Sequence, residues 1–432
     1  MDTSRALDPT TAGRSPAPLR PVEERGLRAA VPADPAGTSW RTVASVDAAI
    51  RGLVHEPDPV RIARVAETGL ALDRVAECRE PLRRALDAVR GGRTAAMTAF
   101  GLLCAGDVAS GRWDEAGRLA EEGLALCGPG HPYDGASLRL GQAFVAAAHG
   151  DEVRTRALVD AVVGWAAPRG LRTLVDEGQR VLALAALGRG DAESAHRYAT
   201  AVTRPGRLGA PGTAARRVSM DLVEAAVRVG RGAEARRHVQ AMCDVPGHAV
   251  SARFAMLTAA SAALVAEPEA AAALFEEALA APDAERWPFD HARIQLTYGE
   301  HLRRQRRAGP SRVVLGASLD TFQRLGARPW AAQARHGLRA SGLTIGRPAA
   351  PGTAAALTPD ERAVATLAAT GLTNKEIARQ LMVSHHTVAA RLYQVFPKLG
   401  VGSRAALRNA MLVLDGDAAG RLDRDTVLVG IA

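Results

Sequence analysis

From about Trp40 to Ala340, apolar residues recur at three- and four-residue intervals almost without interruption. The run Trp113–Leu126, WDEAGRLAEEGLAL, places Trp113, Ala116, Leu119, Ala120 and Leu124 on one stripe. That is the i, i+3, i+4 spacing of an amphipathic helix. No segment stands out with the two-residue alternation of a half-buried strand. The pattern therefore predicts an all-α chain. Its punctuation is regular as well. Short Gly-centred turns fall at Gly111, Gly150, Gly190 and Gly232, separated by 39, 40 and 42 residues. Each is followed by a charged, Ala-rich helix, and a further one starts near Glu267. Gly128-x-Gly130, Gly188-x-Gly190 and Gly230-x-Gly232 follow no strand and lack a third glycine, so they read as helix-hairpin turns rather than a dinucleotide loop.

A single helix pair cannot bury its apolar face, so units with this period are expected to stack and share a core. The repeats over 40–341 loosely resemble tetratricopeptide repeats in their small-residue and turn positions. That resemblance implies a helical-hairpin solenoid. Residues 1–39 are rich in Pro, Gly, Arg and small polar residues without apolar period, and are expected to be a disordered leader. Residues 342–356, GLTIGRPAAPGTAAA, read as a linker. A compact segment, 357–414, follows, and then a small-residue tail, 415–432.

Composition narrows the chemistry. Apolar residues make up 47% of the 432 and aromatics only 4%. Alanine is abundant, which suits helices. Of 55 basic residues, only Lys375 and Lys398 are lysine. The first 374 residues therefore cannot hold the lysine of a GxxxxGK[ST] phosphate loop, a kinase strand or a pyridoxal Schiff base. No HExxH, GxSxG or clustered acid pair appears, and no catalytic residue, cofactor or metal site is expected. The formal charge of +9 permits an acidic partner such as nucleic acid. Cys78, Cys104, Cys127 and Cys243 are scattered and read as buried free thiols of a reducing compartment. The start lacks an apolar signal core, and the longest apolar stretch, Phe254 to Ala266, is too short to span a bilayer. A cytoplasmic protein is expected, with no membrane partner.

Segment 357–414 has helix signals at every boundary. Thr358-Pro359-Asp360-Glu361 is an N-cap, a proline at the first helical position and a capping-box glutamate. That helix runs through Val364, Leu367 and Ala368 to Gly371. Thr373 and Glu376 open a second helix with Ile377, Ala378 and Leu381 on its buried face. After a very short turn at Met382-Val383, Ser384 caps a third, with Val388, Leu392, Val395 and Leu399 as its apolar stripe. Gly400 ends it, and Ser403 caps a fourth helix carrying Ala406, Leu407, Ala410, Met411 and Leu414. Two short helices joined by a tight turn form a helix-turn-helix. The Ser384 end aims free N–H groups and a positive dipole outward, an arrangement suited to phosphate. Seven basic residues stand against three acidic ones here, a balance of +4.

At this point the residues resemble a family. Thr373-Asn374-Lys375-Glu376-Ile377-Ala378, Ser384, Thr387-Val388, Lys398-Leu399-Gly400-Val401 and Ser403-Arg404 match, at the right spacing, the LuxR-type helix-turn-helix domain of bacterial transcription regulators. Residues 288–307 and 321–342 look like the region preceding that domain in the large ATP-binding LuxR-type regulators. This chain is similar to their carboxy-terminal half, with no lysine for a nucleotide-binding loop. The resemblance implies double-stranded DNA as partner. It places Thr373, Asn374, Lys375, Ser384, His385, His386, Thr387, Ala389, Ala390, Arg391, Tyr393, Gln394 and Lys398 at the DNA. Asn374 and Lys375 would meet the backbone, and Thr387, Ala389, Ala390 and Tyr393 would face the groove. Ser403, Leu407, Ala410, Met411 and Leu414 match a last helix that often dimerises the domain, so a homodimer on DNA is expected.

Four positions depart from the family. Ala389 stands where many members have Lys or Arg, and Arg391 where they have His. Asp360 replaces a usual Arg, and Pro397 lies near the end of the recognition helix. Proline lacks an N–H and clashes with the carbonyl four residues back, so a kink or early end is predicted near Tyr393–Pro397. Two alanines on the groove face would offer apolar contact rather than base-edge hydrogen bonds. His385-His386 reads as a backbone or phosphate contact rather than a metal site, and Arg303, Arg304, Arg306 and Arg307 as a solvated helix face. The main expectation is a promoter-binding regulator whose helical repeats act as sensor or assembly platform for a protein or small-molecule effector. The alternative is a helical-repeat interaction scaffold with a degenerate DNA-binding domain, motivated by Ala389, Asp360 and Pro397.

Overall fold

A computed structural model of the chain describes residues 40–88, 93–128, 131–210, 213–245, 251–342 and 357–399, and single positions from 401 to 411. The expected leader 1–39, the tail 415–432 and all but the first residue of the linker 342–356 lie outside the described residues. Among the described residues every regular element is helical. The first seven α-helices are α1 (Trp40–Gly52), α2 (Pro59–Ala71), α3 (Val75–Ala88), α4 (Arg93–Ala109), α5 (Trp113–Leu126), α6 (Pro132–His149) and α7 (Glu152–Ala166). Then come α8 (Arg172–Arg189), α9 (Ala192–Val202), the single turn α10 (Ala214–Arg217), α11 (Ser219–Arg228), α12 (Gly232–Cys243), α13 (Ala252–Val265) and α14 (Pro268–Leu279). The body ends with α15 (Pro288–Arg304), α16 (Ala308–Arg324) and α17 (Arg328–Ala340). Beyond 356 follow α18 (Pro359–Ala369), α19 (Asn374–Leu381) and α20 (His385–Lys398).

The hairpin turns share one physical device. Gly111, Gly150, Gly190 and Gly230 all adopt a left-handed φ of 75–79°. In each, the following N–H bonds the carbonyl five residues back: Arg112 to Asp107, Asp151 to Ala146, Asp191 to Ala186 and Arg231 to Ala226, all at 2.8–2.9 Å. This is the Schellman arrangement, which satisfies the last carbonyls of a helix and needs a residue without Cβ at the left-handed position. The fourth turn glycine is thus Gly230. Gly232, expected in that role, is the first residue of α12. The turn then recurs every 39 or 40 residues. Asp151 and Asp191 follow their glycines and accept from the N–H of Arg154 and Ser194, so each turn ends one helix and caps the next.

Most consecutive helices of the body pack against each other, and alternate helices such as α4 and α6, or α6 and α8, also touch. An open array, in which each repeat meets only its neighbours, does not describe the whole body, because α17 folds back onto α6 and α8. Arg328 donates to the His149 carbonyl at 3.0 Å, and Gln333 donates to the carbonyls of Leu187 and Gly188. Trp330 lies under Gly188, with its ring within 3.5 Å of where a Cβ would stand. The shared core joins Trp113, Leu184, Leu187, Phe289, Phe322 and Trp330. Beside it, Arg293 is buried with Asp221 at 2.6 Å and Glu224 at 2.8 Å, its guanidinium 4.9 Å from the Trp330 ring centre. Of the cysteines, Cys78 and Cys104 are buried and burial pushes both thiols up to about 12. Cys243, expected inside, is exposed. Among the described residues no helix is long and apolar enough to cross a membrane.

Candidate nucleic-acid interface

The three helices after residue 356 form where the local signals placed them. Both capping boxes are closed. Thr358 Oγ1 accepts from Glu361 N–H while Glu361 accepts from Thr358 N–H, and Thr373 and Glu376 do the same. Each box satisfies two N–H groups that a helix start leaves open. Ser384 Oγ accepts from the Thr387 N–H at 3.0 Å and lies 2.8 Å from Thr387 Oγ1, which holds the start of α20. Between α19 and α20, Met382 adopts φ 50° and the Val383 N–H bonds the Ala378 carbonyl. This is the body's turn geometry, built here without glycine.

The domain has its own core. Val364, Ala365, Ala368, Ile377, Ala378, Val388, Leu392 and Val395 are buried together with Leu407 and Met411. The last two were expected at a dimer interface. Their side chains instead complete this core, and a dimer could use them only by opening it. Ala410 is half-buried, and Ser403 and Leu414 lie outside the described residues. The backbone of α20 stays helical through Pro397 to Lys398, so the predicted early end near Tyr393–Pro397 does not occur. Pro397 is the penultimate residue of α20 and cannot donate to the Tyr393 carbonyl four residues back.

The basic residues divide. Lys375 and Arg379 are exposed on α19. Arg391 pairs with Asp360 at 2.7 Å. These two departures from the family therefore answer each other as one ion pair between α18 and α20, which removes Asp360 as a sign of decay. Lys398 binds both carboxylate oxygens of Glu361 at 2.6 and 2.7 Å and holds that carboxyl below its usual range. Arg404 donates to Asn374 Oδ1 at 2.6 Å and to the Leu372 carbonyl, and so ties the last described turn to the start of α19. Of the residues expected at DNA, Arg391, Lys398 and Asn374 thus already have partners inside the domain.

The remaining expected positions lie along α19, α20 and the residues that cap them. Thr373, Lys375, Ser384, His385, Ala390 and Gln394 are exposed, and Thr387 and Ala389 are half-buried. The side chain of His386 lies outside the described residues. Tyr393 is placed differently. Val388, Leu392 and Val395 of α20 are buried in the domain's own core, whereas Tyr393 packs against the body core. Its Cδ2 and Cε2 atoms stand 3.1 and 3.2 Å from where a Cβ on Gly316 would be. The sequence signals missed this contact and the Asp360–Arg391, Glu361–Lys398 and Arg404–Asn374 links. Only the paired departures from the family hinted at one of them.

Comparison with known proteins agrees with this geometry. Residues 355–410 match the family model described as bacterial regulatory proteins, luxR family. The segment is therefore a LuxR-type helix-turn-helix domain. A 51-residue stretch of this chain is 51% identical to proteins named as HTH-type transcriptional regulators, Mb0914c of Mycobacterium bovis and Rv0890c of Mycobacterium tuberculosis. Each match covers 12% of this chain and 6% of the relative's own length.

Proposed function

We propose that this protein is a transcription regulator that binds double-stranded promoter DNA through α19 and α20, with the helical body as sensor or assembly platform. The observation that carries this reading is the capped α19–turn–α20 unit on its own core, with Lys375, Arg379 and Ser384, the residue that caps α20, all exposed. A helix N-terminus and two cations suit phosphates, and α20 is the element that would enter the major groove. Ala389 and Ala390 leave little side-chain hydrogen bonding on that face. Affinity would then rest mainly on backbone contacts. The resemblance to dimerising domains supports a homodimer on DNA, formed by surfaces other than Leu407 and Met411.

A salt titration of duplex binding by the full chain tests the proposal. Binding should weaken linearly in log–log form as salt rises, and Lys375→Ala should reduce the slope by about one. Absence of salt-dependent binding at low salt, in both the full chain and its Gly316→Gln variant, rejects it.

A further inference from the structure

The contact between α16 and α20 has a consequence for DNA binding. Arg312, Gly316 and Asp320 are spaced i, i+4, i+8, one row along α16. Gly316 in the middle leaves room for the Tyr393 ring. Among the described residues, and apart from α16's own backbone and the residues next to Gly316, the atoms within 4 Å of a Cβ built there are Cδ2 and Cε2 of Tyr393. Arg312 and Asp320 are near enough to act on the Tyr393 phenol through their charges, and Asp320 and the domain's Arg404 act on each other in the same way. The Tyr393 hydroxyl is buried and has no hydrogen-bond partner among the described residues.

Occupation of this row and occupation by DNA exclude each other. A helix with its side chains is about 10–12 Å across. The major groove is about 12 Å wide and accepts one helix. With α16 against α20 at Tyr393, a duplex seated on that side would collide with the body. We propose that the Arg312–Gly316–Asp320 face of α16 is an intramolecular inhibitor of DNA binding, which holds the recognition helix closed through Tyr393. This rests on the DNA-binding reading above.

The contact is built for release. It consists of one ring on a glycine, nearby charges, and a hydroxyl that would regain its hydrogen bonds in water. A signal reaching the α15–α17 hairpins would thereby reach the DNA-binding helix. The same hairpins hold the buried Arg293 and the Trp330 closure.

Gly316→Gln tests this from outside the DNA-binding domain. Its side chain would enter the space of the Tyr393 ring and nothing else, and a helical Gly replaced by Gln gains helix propensity. Two measurements on the full chain are combined: tetranitromethane nitration of Tyr393 read by mass spectrometry, and low-salt binding to a pool of random-sequence duplexes of about two to three helical turns. Tyr393 should be protected in the parent chain and modified in Gly316→Gln, and duplex affinity should rise about tenfold if nine chains in ten are closed. Equal nitration in both chains overturns the closed contact. Freed Tyr393 with parental affinity overturns inhibition while leaving DNA binding intact. Freed Tyr393 with no duplex binding in either chain removes the DNA-binding reading, and the inhibitor with it.

Discussion

The body and the helix-turn-helix domain solve the same problem, burial of helical stripes, with different materials. The body holds nearly all of the chain's few aromatic rings. Trp113, Phe144, Phe289, Phe322 and Trp330 meet edge-on or tilted at 5.3–6.4 Å between centres, drawn from helices far apart in sequence. It also buries charge, with Arg293 between two carboxylates. The domain has only Tyr393 and Phe396 as rings, and its core is aliphatic. It closes with capping boxes and surface ion pairs. Large rings and buried charges bind distant helices into one stiff unit. Caps and small aliphatics make a unit that can fold on short-range information and move as a piece. The one ring the domain turns outward is the one the body holds.

This contrast can be broken from either side. The largest effect is expected from Arg293→Leu, which leaves Asp221 and Glu224 buried without their shared counter-charge and should cost about 3–5 kcal/mol in urea unfolding. A loss below about 1 kcal/mol would show that the buried triad does not hold the body together. Leu407→Ala should cost the small domain about 2–5 kcal/mol. Hydrogen exchange should then quicken in 357–411 while α5–α17 keep their protection. If the substitution altered only self-association, Leu407 would belong to an interface after all.

Acid should act on the body. Burial lowers the His238 imidazole from 6.5 to about 4, and its Nδ1 accepts the Gly206 N–H at 3.3 Å. The fold therefore favours the neutral ring. Its contribution is complete above pH 6.5 and is lost as pH falls toward 4, by about 3 kcal/mol in all. Unfolding measured across that window should show the slope, and His238→Leu should flatten it. The smallest effect is a gain. Met382 holds a left-handed backbone while 93% exposed, so Met382→Gly removes strain without removing a contact. It should raise thermal stability of the domain by up to about 1 kcal/mol. A loss would mean that the Met382 side chain has a folded-state contact.

Much of the fold was readable because its signals are short-range. Capping boxes at Thr358 and Thr373, the Ser384 cap and the left-handed glycines depend on residues within about five positions. Even so, Gly230 and Gly232 were interchanged, since both fit a turn and only the backbone bond from Arg231 to Ala226 separates them. The candidate site was half legible. Its helices and its exposed residues Lys375 and Gln394 were placed from the motif. The engagement of Lys398 and Arg391 was not, because their partners lie 37 and 31 residues away. Leu407 and Met411 read equally well as core or interface, since an apolar stripe does not state what covers it.

The sequence by itself determined an all-α chain, its glycine-punctuated hairpins and a LuxR-type helix-turn-helix with its caps. Those features follow from backbone geometry and from contacts one helical turn apart. Only the tertiary structure decided that the body closes through Trp330 and Gln333, that three of the domain's cations pair within the domain, and that Tyr393 lies on Gly316. Each of these joins surfaces from distant segments. Which surfaces meet depends on helix packing, shape and charge in three dimensions, and a single glycine on α16 gives no sign in the chain that it makes room for a ring.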